Sequence, residues 1–209
     1  MLFCLFAPAS LANLMVFTDQ GQFQIAVSGG ASTTFDFDAP VDPFSYFTLD
    51  YQDEYGSSTG VVDSGFDTTS GANYLGLDIG LGFLAGGDFT LTFNQTWHAI
   101  GLYLIASDTL FDDDAILNVG TGSVGNIASA TTALSDGGQA IFIGLVDTAG
   151  FTSATLVTYL DANFGQGVFE FAIDDLQLVS LAPAPVPEPP TLALFALALL
   201  TTWRLKHKQ

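Results

Sequence analysis

Residues 1–203 of this 209-residue chain contain no lysine and no arginine. The three basic side chains, Arg204, Lys206 and Lys208, stand together at the C-terminal end, against 22 acidic residues in the whole chain. Only Glu188 among those acids falls after residue 182. The rest of the chain therefore carries 21 carboxylates with no internal counter-charge. A surface without cations cannot neutralise phosphates, which excludes nucleic acid and anionic lipid surfaces as partners. Divalent cations and uncharged sugars remain.

Cysteine is almost as scarce. The single Cys4 lies in the apolar N-terminus, so residues 13–181 have no thiol. That excludes disulfides, zinc–thiolate clusters, Cys–His pairs and lysine nucleophiles from that segment. Its one histidine, His98, sits in an apolar stretch and reads as a half-buried side chain rather than a catalytic base. Glycoside hydrolysis needs two positioned carboxyls. Many are available, but nothing in the spacing picks out a pair, and only Glu54 and Glu170 in this segment are glutamates. The expectation is a non-catalytic domain, with a glycoside hydrolase as the minor alternative.

What is present organises the chain from its ends. Residues 1–12 end in Ser10, Leu11 and Ala12, a small-x-small site after an apolar run, as in a secretory signal peptide. They lack a basic n-region, which suggests that the true start lies upstream. A buried first strand is the competing reading. At the other end, residues 182–190 form a proline-rich linker, and residues 191–209 form an apolar helix followed by a basic end, a membrane-stop pattern. The apolar part spans roughly 20 Å as a helix, short of a ~30 Å hydrocarbon core.

Val186, Pro187, Glu188 and Pro189, then the apolar run, then Arg204, Lys206 and Lys208, resemble the PEP-CTERM sorting signal of Gram-negative bacteria. The resemblance implies export across the inner membrane and transient anchoring there. It further implies processing by exosortase, an integral membrane enzyme that reads the Pro-Glu-Pro motif, and delivery to the cell surface or beyond. A proline-rich linker with a short core helix is the alternative.

The folded part, residues 13–181, opens with a helix capped by Asp19, with Phe23, Ala26 and Val27 on one face and Gly29 and Gly30 after it. Strand signals follow. Residues 89–93 alternate strictly between apolar and polar, and residues 97–106 are nearly all apolar, as in a strand covered on both faces. Further strands are expected at 33–37, 115–119, 139–146, 155–160 and 168–179, separated by Gly- and Ser-rich turns. With 19 phenylalanines to fill a core, the fold class is mainly β, an antiparallel β-sandwich. In the last strand Phe169, Phe171 and Ile173 share one parity, and Leu176 and Leu178 the other. Asp174 and Asp175 lie at the switch, so the expectation there is a β-bulge that re-aims a carboxylate.

The segments 16–23, 35–37, 143–154 and 171–176 resemble the ectodomains commonly found with PEP-CTERM tails. That resemblance implies a jelly-roll-like sandwich similar to carbohydrate-binding modules, without a defined ligand. Clustered aspartates suggest structural calcium, which takes six to eight oxygens. The expected ligands are Asp174 or Asp175 from the last strand with Asp36 or Asp38 from the first, and Asp112 to Asp114 come next. Two functions are open: a non-catalytic surface or matrix protein associated with exopolysaccharide, or a specific, calcium-assisted carbohydrate-binding module. Exposed aromatics beside aspartate would favour the second, with Tyr46, Tyr51, Tyr55, Tyr74 and Trp97 as candidates.

Overall fold

The structure is a computed structural model. It describes residues 14–39, 42–53, 56–77, 82–107, 109–120, 122–159 and 169–181. Residues Ala12–Leu181 form one compact unit. The expected signal peptide, proline-rich linker and C-terminal helix lie outside the described residues.

The elements in chain order are β1 (Leu14–Phe17), α1 (Gln20–Val27), β2 (Ala31–Phe35), β3 (Phe47–Asp53), β4 (Gly56–Ser58), β5 (Val61–Ser64) and β6 (Asn73–Gly76). They continue with β7 (Phe83–Leu84), β8 (Asp88–Ala106), β9 (Ala115–Val119), β10 (Gly122–Gly125), β11 (Thr132–Ala133), β12 (Gln139–Thr158) and β13 (Glu170–Ser180). All the paired strands run antiparallel in one 13-stranded network. The mainly β, antiparallel expectation holds.

Two long strands turn this single sheet into two layers. The sequence suggested separate strands at 89–93 and 97–106, and again at 139–146 and 155–160. Each pair is in fact one bent strand, β8 and β12. Their mutual register is regular from Gln139↔Ala106 to Val146↔Ala99, shifts at Phe151↔Trp97 and again at Ser153↔Thr92, then is regular to Val157↔Asp88. Gly150 stands in this bend with φ 79°, and a Cβ there would meet Thr96 Cγ2 at 2.6 Å. Beyond the bend the strands belong to different layers. One layer holds the first half of β8 beside β3, with the second half of β12 beside β9. The other holds the second half of β8 beside β13, with the first half of β12 beside β1.

The bend also explains a change of parity. Phe89, Leu91 and Phe93 point into the main core before it, and Ile100, Leu102 and Leu104 after it. Phe89 and Phe171 meet across the two layers with ring centroids 6.2 Å apart. Each such buried Leu or Phe contributes about 1.5–3 kcal/mol by leaving water.

Helix α1 closes the outer face of the second layer. Asp19 caps it by accepting from the Gln22 N–H at 2.8 Å, as its sequence position suggested. Phe23 and Val27 pack on Ala99, Phe142, Val146 and Val179. The paired Gly101 and Gly144 leave the pit for Phe23, since a Cβ on either would stand 2.8 Å from its ring. Ala26, expected on the buried face, is exposed, because eight residues of helix bury only one turn-spaced pair.

Candidate functional site

Strand β13 carries the expected bulge. Asp174 pairs with Tyr103 and Gln177 with Gly101, so three steps along β13 match two along β8. The extra residue is absorbed where Asp175 takes a left-handed φ of 48°. Phe169, Phe171, Ile173, Leu176 and Leu178 consequently all reach the same core despite their change of parity. In exchange Asp174 is carried inward and has no exposed surface, while Asp175 stays half-buried.

A buried carboxylate needs donors. With no cation in this part of the chain, backbone and hydroxyl groups supply them. The loop of residues 65–72, between β5 and β6, lies across the bulge. Thr69 N–H and Thr69 Oγ1 both donate to Asp174 Oδ2 at 2.7 Å, and Ser70 N–H donates to it at 3.2 Å. The Asp175 N–H donates to Asp174 Oδ1 at 2.8 Å. Ser70 Oγ donates to Asp175 Oδ1 at 2.7 Å, and Thr69 Oγ1 also lies 3.0 Å from Asp175 Oδ2. Burial holds the Asp174 carboxyl above the usual carboxylate range; the Thr69 hydroxyl bond opposes this, and the Asp175 charge adds to it.

The same loop continues onto the segment that holds the other two expected carboxylates. Asp38 accepts from the Ala72 N–H at 3.1 Å and from Asn73 Nδ2 at 2.9 Å. Gly71 makes this approach with φ 60°, and a Cβ there would overlap Asp38 Oδ2 at 1.3 Å. Asp36 instead closes its own turn, accepting from the N–H groups of Asp38 and Ala39 at 3.2 and 3.1 Å. The loop thus links Asp38 to the Asp174–Asp175 pair through separate hydrogen bonds. Among the described residues, no three His, Cys, Asp or Glu side chains gather into a group that would hold a metal ion.

Beside this loop opens a cleft of about 600 Å³. Residues 66–69, Gly71 and Ala72 form one wall, Thr132 to Ser135 the other, and Tyr103 also lines it. Asp67 reaches from the first wall to the second, accepting from Ser135 Oγ and, at 2.8 Å, from the Asp136 N–H. The Ser135 hydroxyl bond, then the Asp136 amide bond, holds the Asp67 carboxyl below its ordinary range. The Tyr103 phenol is pushed up by burial and by the charges of Asp175, Asp19 and Asp174.

The remaining candidates serve the fold. Asp112 accepts from the Ala128 N–H at 2.8 Å and Asp114 from the Phe111 N–H at 2.6 Å. Tyr51, Tyr74 and Trp97 are buried, Tyr46 packs on the core, and Tyr55 lies outside the described residues. The Tyr51 phenol, pushed up to about 12 by burial, accepts from the Leu84 N–H at 2.9 Å and lies 3.0 Å from the Leu84 carbonyl oxygen. His98 is half-buried, as its sequence context suggested, but it is not the hydrogen-bond-satisfied side chain that context implies, since its Nδ1 has no partner. Thr69, Ser70, Asp67 and Tyr103 carry the site but had no signal in the sequence. The run 67–71 belonged to no expected element, and Tyr103 read as one apolar-strand residue among ten.

Comparison with known proteins places the other end of the chain. Residues 185–207 match the PEP-CTERM protein-sorting motif. The chain carries a PEP-CTERM sorting tail. The match includes Val186, Pro187, Glu188, Pro189, Arg204 and Lys206, and stops one residue short of Lys208. Such a tail indicates an exported protein targeted to exosortase, with transient anchoring in the membrane before release. Among the described residues no helix is long and apolar enough to cross a membrane. No curated protein and no solved structure matches the chain.

Proposed function

We propose that this exported protein is non-catalytic and that its ectodomain binds extracellular polysaccharide in the cleft beside β13. The observation that carries the reading is the lining of that cleft: Thr132 offers a hydroxyl, the hydroxyls of Thr68, Thr69 and Ser135 keep acceptor lone pairs while donating to Gly71, Asp174 and Asp67, Asp67 adds a carboxylate, and Phe66 and Tyr103 add aromatic rings. Concave sites with a few convergent polar groups and apolar walls suit small neutral ligands. Sugars fit this lining, because their hydroxyls pair with hydroxyl and carboxylate groups while their C–H faces lie on aromatic rings. The missing cations define what is refused: uronate or phosphate groups find nothing to neutralise them.

The test is binding of the full chain, in mild detergent, to a panel of neutral and anionic oligosaccharides and to polysaccharide from its own envelope. Neutral sugars should bind, and Thr132→Val with Ser135→Ala should abolish that binding without lowering the melting temperature. Preference for anionic sugars, or binding that survives the double change, rejects the cleft as the site. For sorting, Pro187→Ala with Glu188→Ala should leave the protein in the inner membrane. Normal release of that variant would refute recognition at this motif.

A further inference from the structure

We infer that the saccharide taken by the cleft is an amino sugar, a hexosamine with free amino groups whose ammonium donates to Asp67 Oδ1. The inference rests on the saccharide reading above and narrows it to one chemical class of sugar.

The cleft has few protons to give. Thr68 Oγ1 donates to the Gly71 carbonyl oxygen at 3.0 Å, Thr69 Oγ1 to Asp174 Oδ2 at 2.7 Å, and Ser135 Oγ to Asp67 Oδ2. The Tyr103 phenol donates to Gln20 Oε1 at 3.4 Å. The Leu134 N–H donates to the Gly138 carbonyl oxygen at 2.8 Å, and the Ala72 N–H to Asp38. A hydroxyl has one proton to donate and two lone pairs with which to accept. What these walls hold out to a ligand is therefore mainly oxygen lone pairs, and a ligand rich in donors fits them.

Asp67 is the strongest of these acceptors. It bridges the two walls through one oxygen, since Ser135 Oγ and the Asp136 N–H both donate to Oδ2. No described residue hydrogen-bonds to Oδ1. The Ser135 hydroxyl first, and then the Asp136 amide, keep this carboxyl ionised. An ionised carboxylate can only accept. A sugar hydroxyl brings it one proton; an ammonium brings three and a full charge, and a charge-assisted bond is roughly twice as strong as a neutral one.

The surroundings act in the same direction. Asp136 is exposed next to Ser135, and the charges of Asp175, Asp19 and Asp174 act on the Tyr103 phenol. No lysine or arginine precedes residue 204 to offset them. A cleft bordered by charges of one sign concentrates ligands of the other. N-acetylation removes the ligand's charge and leaves one N–H, so the acetylated sugar loses this advantage while its ring still stacks on Phe66 and Tyr103.

The experiment is calorimetric titration of the full chain, in non-ionic detergent, with a β-1,4 trimer of glucosamine, its fully N-acetylated counterpart, and trilysine. It is run at about pH 5.5, where amines and Asp67 are both charged. The free-amine trimer should bind about tenfold more tightly than the acetylated one. That ratio should shrink as salt rises from about 20 mM to about 500 mM. Trilysine has amines without sugar rings and should bind more weakly than the free-amine trimer. Asp67→Asn keeps a carbonyl oxygen for Ser135 and Asp136 and turns an N–H2 towards the ligand. It should bring the two trimers to similar affinity without lowering the melting temperature. Asp50→Asn, which removes one exposed charge from β3, should leave the ratio unchanged.

Equal binding of the two trimers by wild type, or a preference for the acetylated one, overturns the inference and leaves the saccharide reading standing. A ratio that survives Asp67→Asn overturns it as well, as does a salt-independent ratio or trilysine binding as tightly as the amino sugar. If no trimer binds, the saccharide reading fails and the inference fails with it.

Discussion

Of the carboxyl groups that hold the 65–72 loop, the Asp174–Asp175 pair and Asp67 solve the same problem in opposite ways. At β13 the pair Asp174–Asp175 is withdrawn from water and draws on Thr69 and Ser70. Across the cleft Asp67 is half-buried and draws on Ser135 and Asp136. Burial raises the first site's affinity for a proton, and hydrogen-bond donors lower the second's. For Asp67 the folded pKa lies below the unfolded one, so its contribution is present above about 3.8 and is lost as pH falls through the folded value. The two attachments of one loop thus oppose each other in pH. In a domain without cations, the depth of a carboxyl decides whether a proton or a solvated donor stabilises it.

The sharpest way to break this comparison is at its buried end. Asp174→Ala would orphan the N–H groups of Thr69, Ser70 and Asp175 and leave the Thr69 hydroxyl only Asp175 as a partner, and should cost about 3 kcal/mol or more in denaturant unfolding. A loss under about 1 kcal/mol would mean that water replaces the carboxyl and the burial argument fails. Gly71→Ala comes next. The left-handed φ and the overlap with Asp38 should cost about 1–2 kcal/mol and loosen the loop between its attachments. Thr69→Val removes the shared hydroxyl alone and should cost about 1–2 kcal/mol in denaturant unfolding at neutral pH. The smallest effect belongs to Asp67, which is less deeply buried than Asp174. Asp67→Asn should leave the melting temperature within the scatter of the measurement, yet abolish acid-induced exchange of the Asp136 amide. If Asp67→Asn destabilises as much as Asp174→Ala, solvent exposure is not what separates the two.

Several features are legible in local sequence pattern alone. The parity switch at Asp174 and Asp175 required an inserted residue, because a strand keeps a two-residue period and both Ile173 and Leu176 had to reach one core. Asp19 as a cap and the double-sided burial of residues 97–106 were readable for the same reason: each depends on neighbours within a few positions. The sorting tail is a linear signal, read as an extended peptide with an apolar run and a basic end, and needs no tertiary context.

Only the folded chain decided the rest. That residues 89–93 and 97–106 are one strand depends on a bend shared with β12, roughly fifty residues away, and on Gly150 fitting against Thr96. Tyr51, Tyr74 and Trp97 went to the core because rings on a two-layer sheet stabilise it more when buried than when displayed. Thr69 carries no signal in the sequence and becomes the donor between two carboxyls only because the loop folds back over a strand more than a hundred residues later. Composition determined that this domain would have carboxylates and no cations to meet them. Tertiary structure decided which of them would be buried, and which hydrogen-bond donors would meet them there.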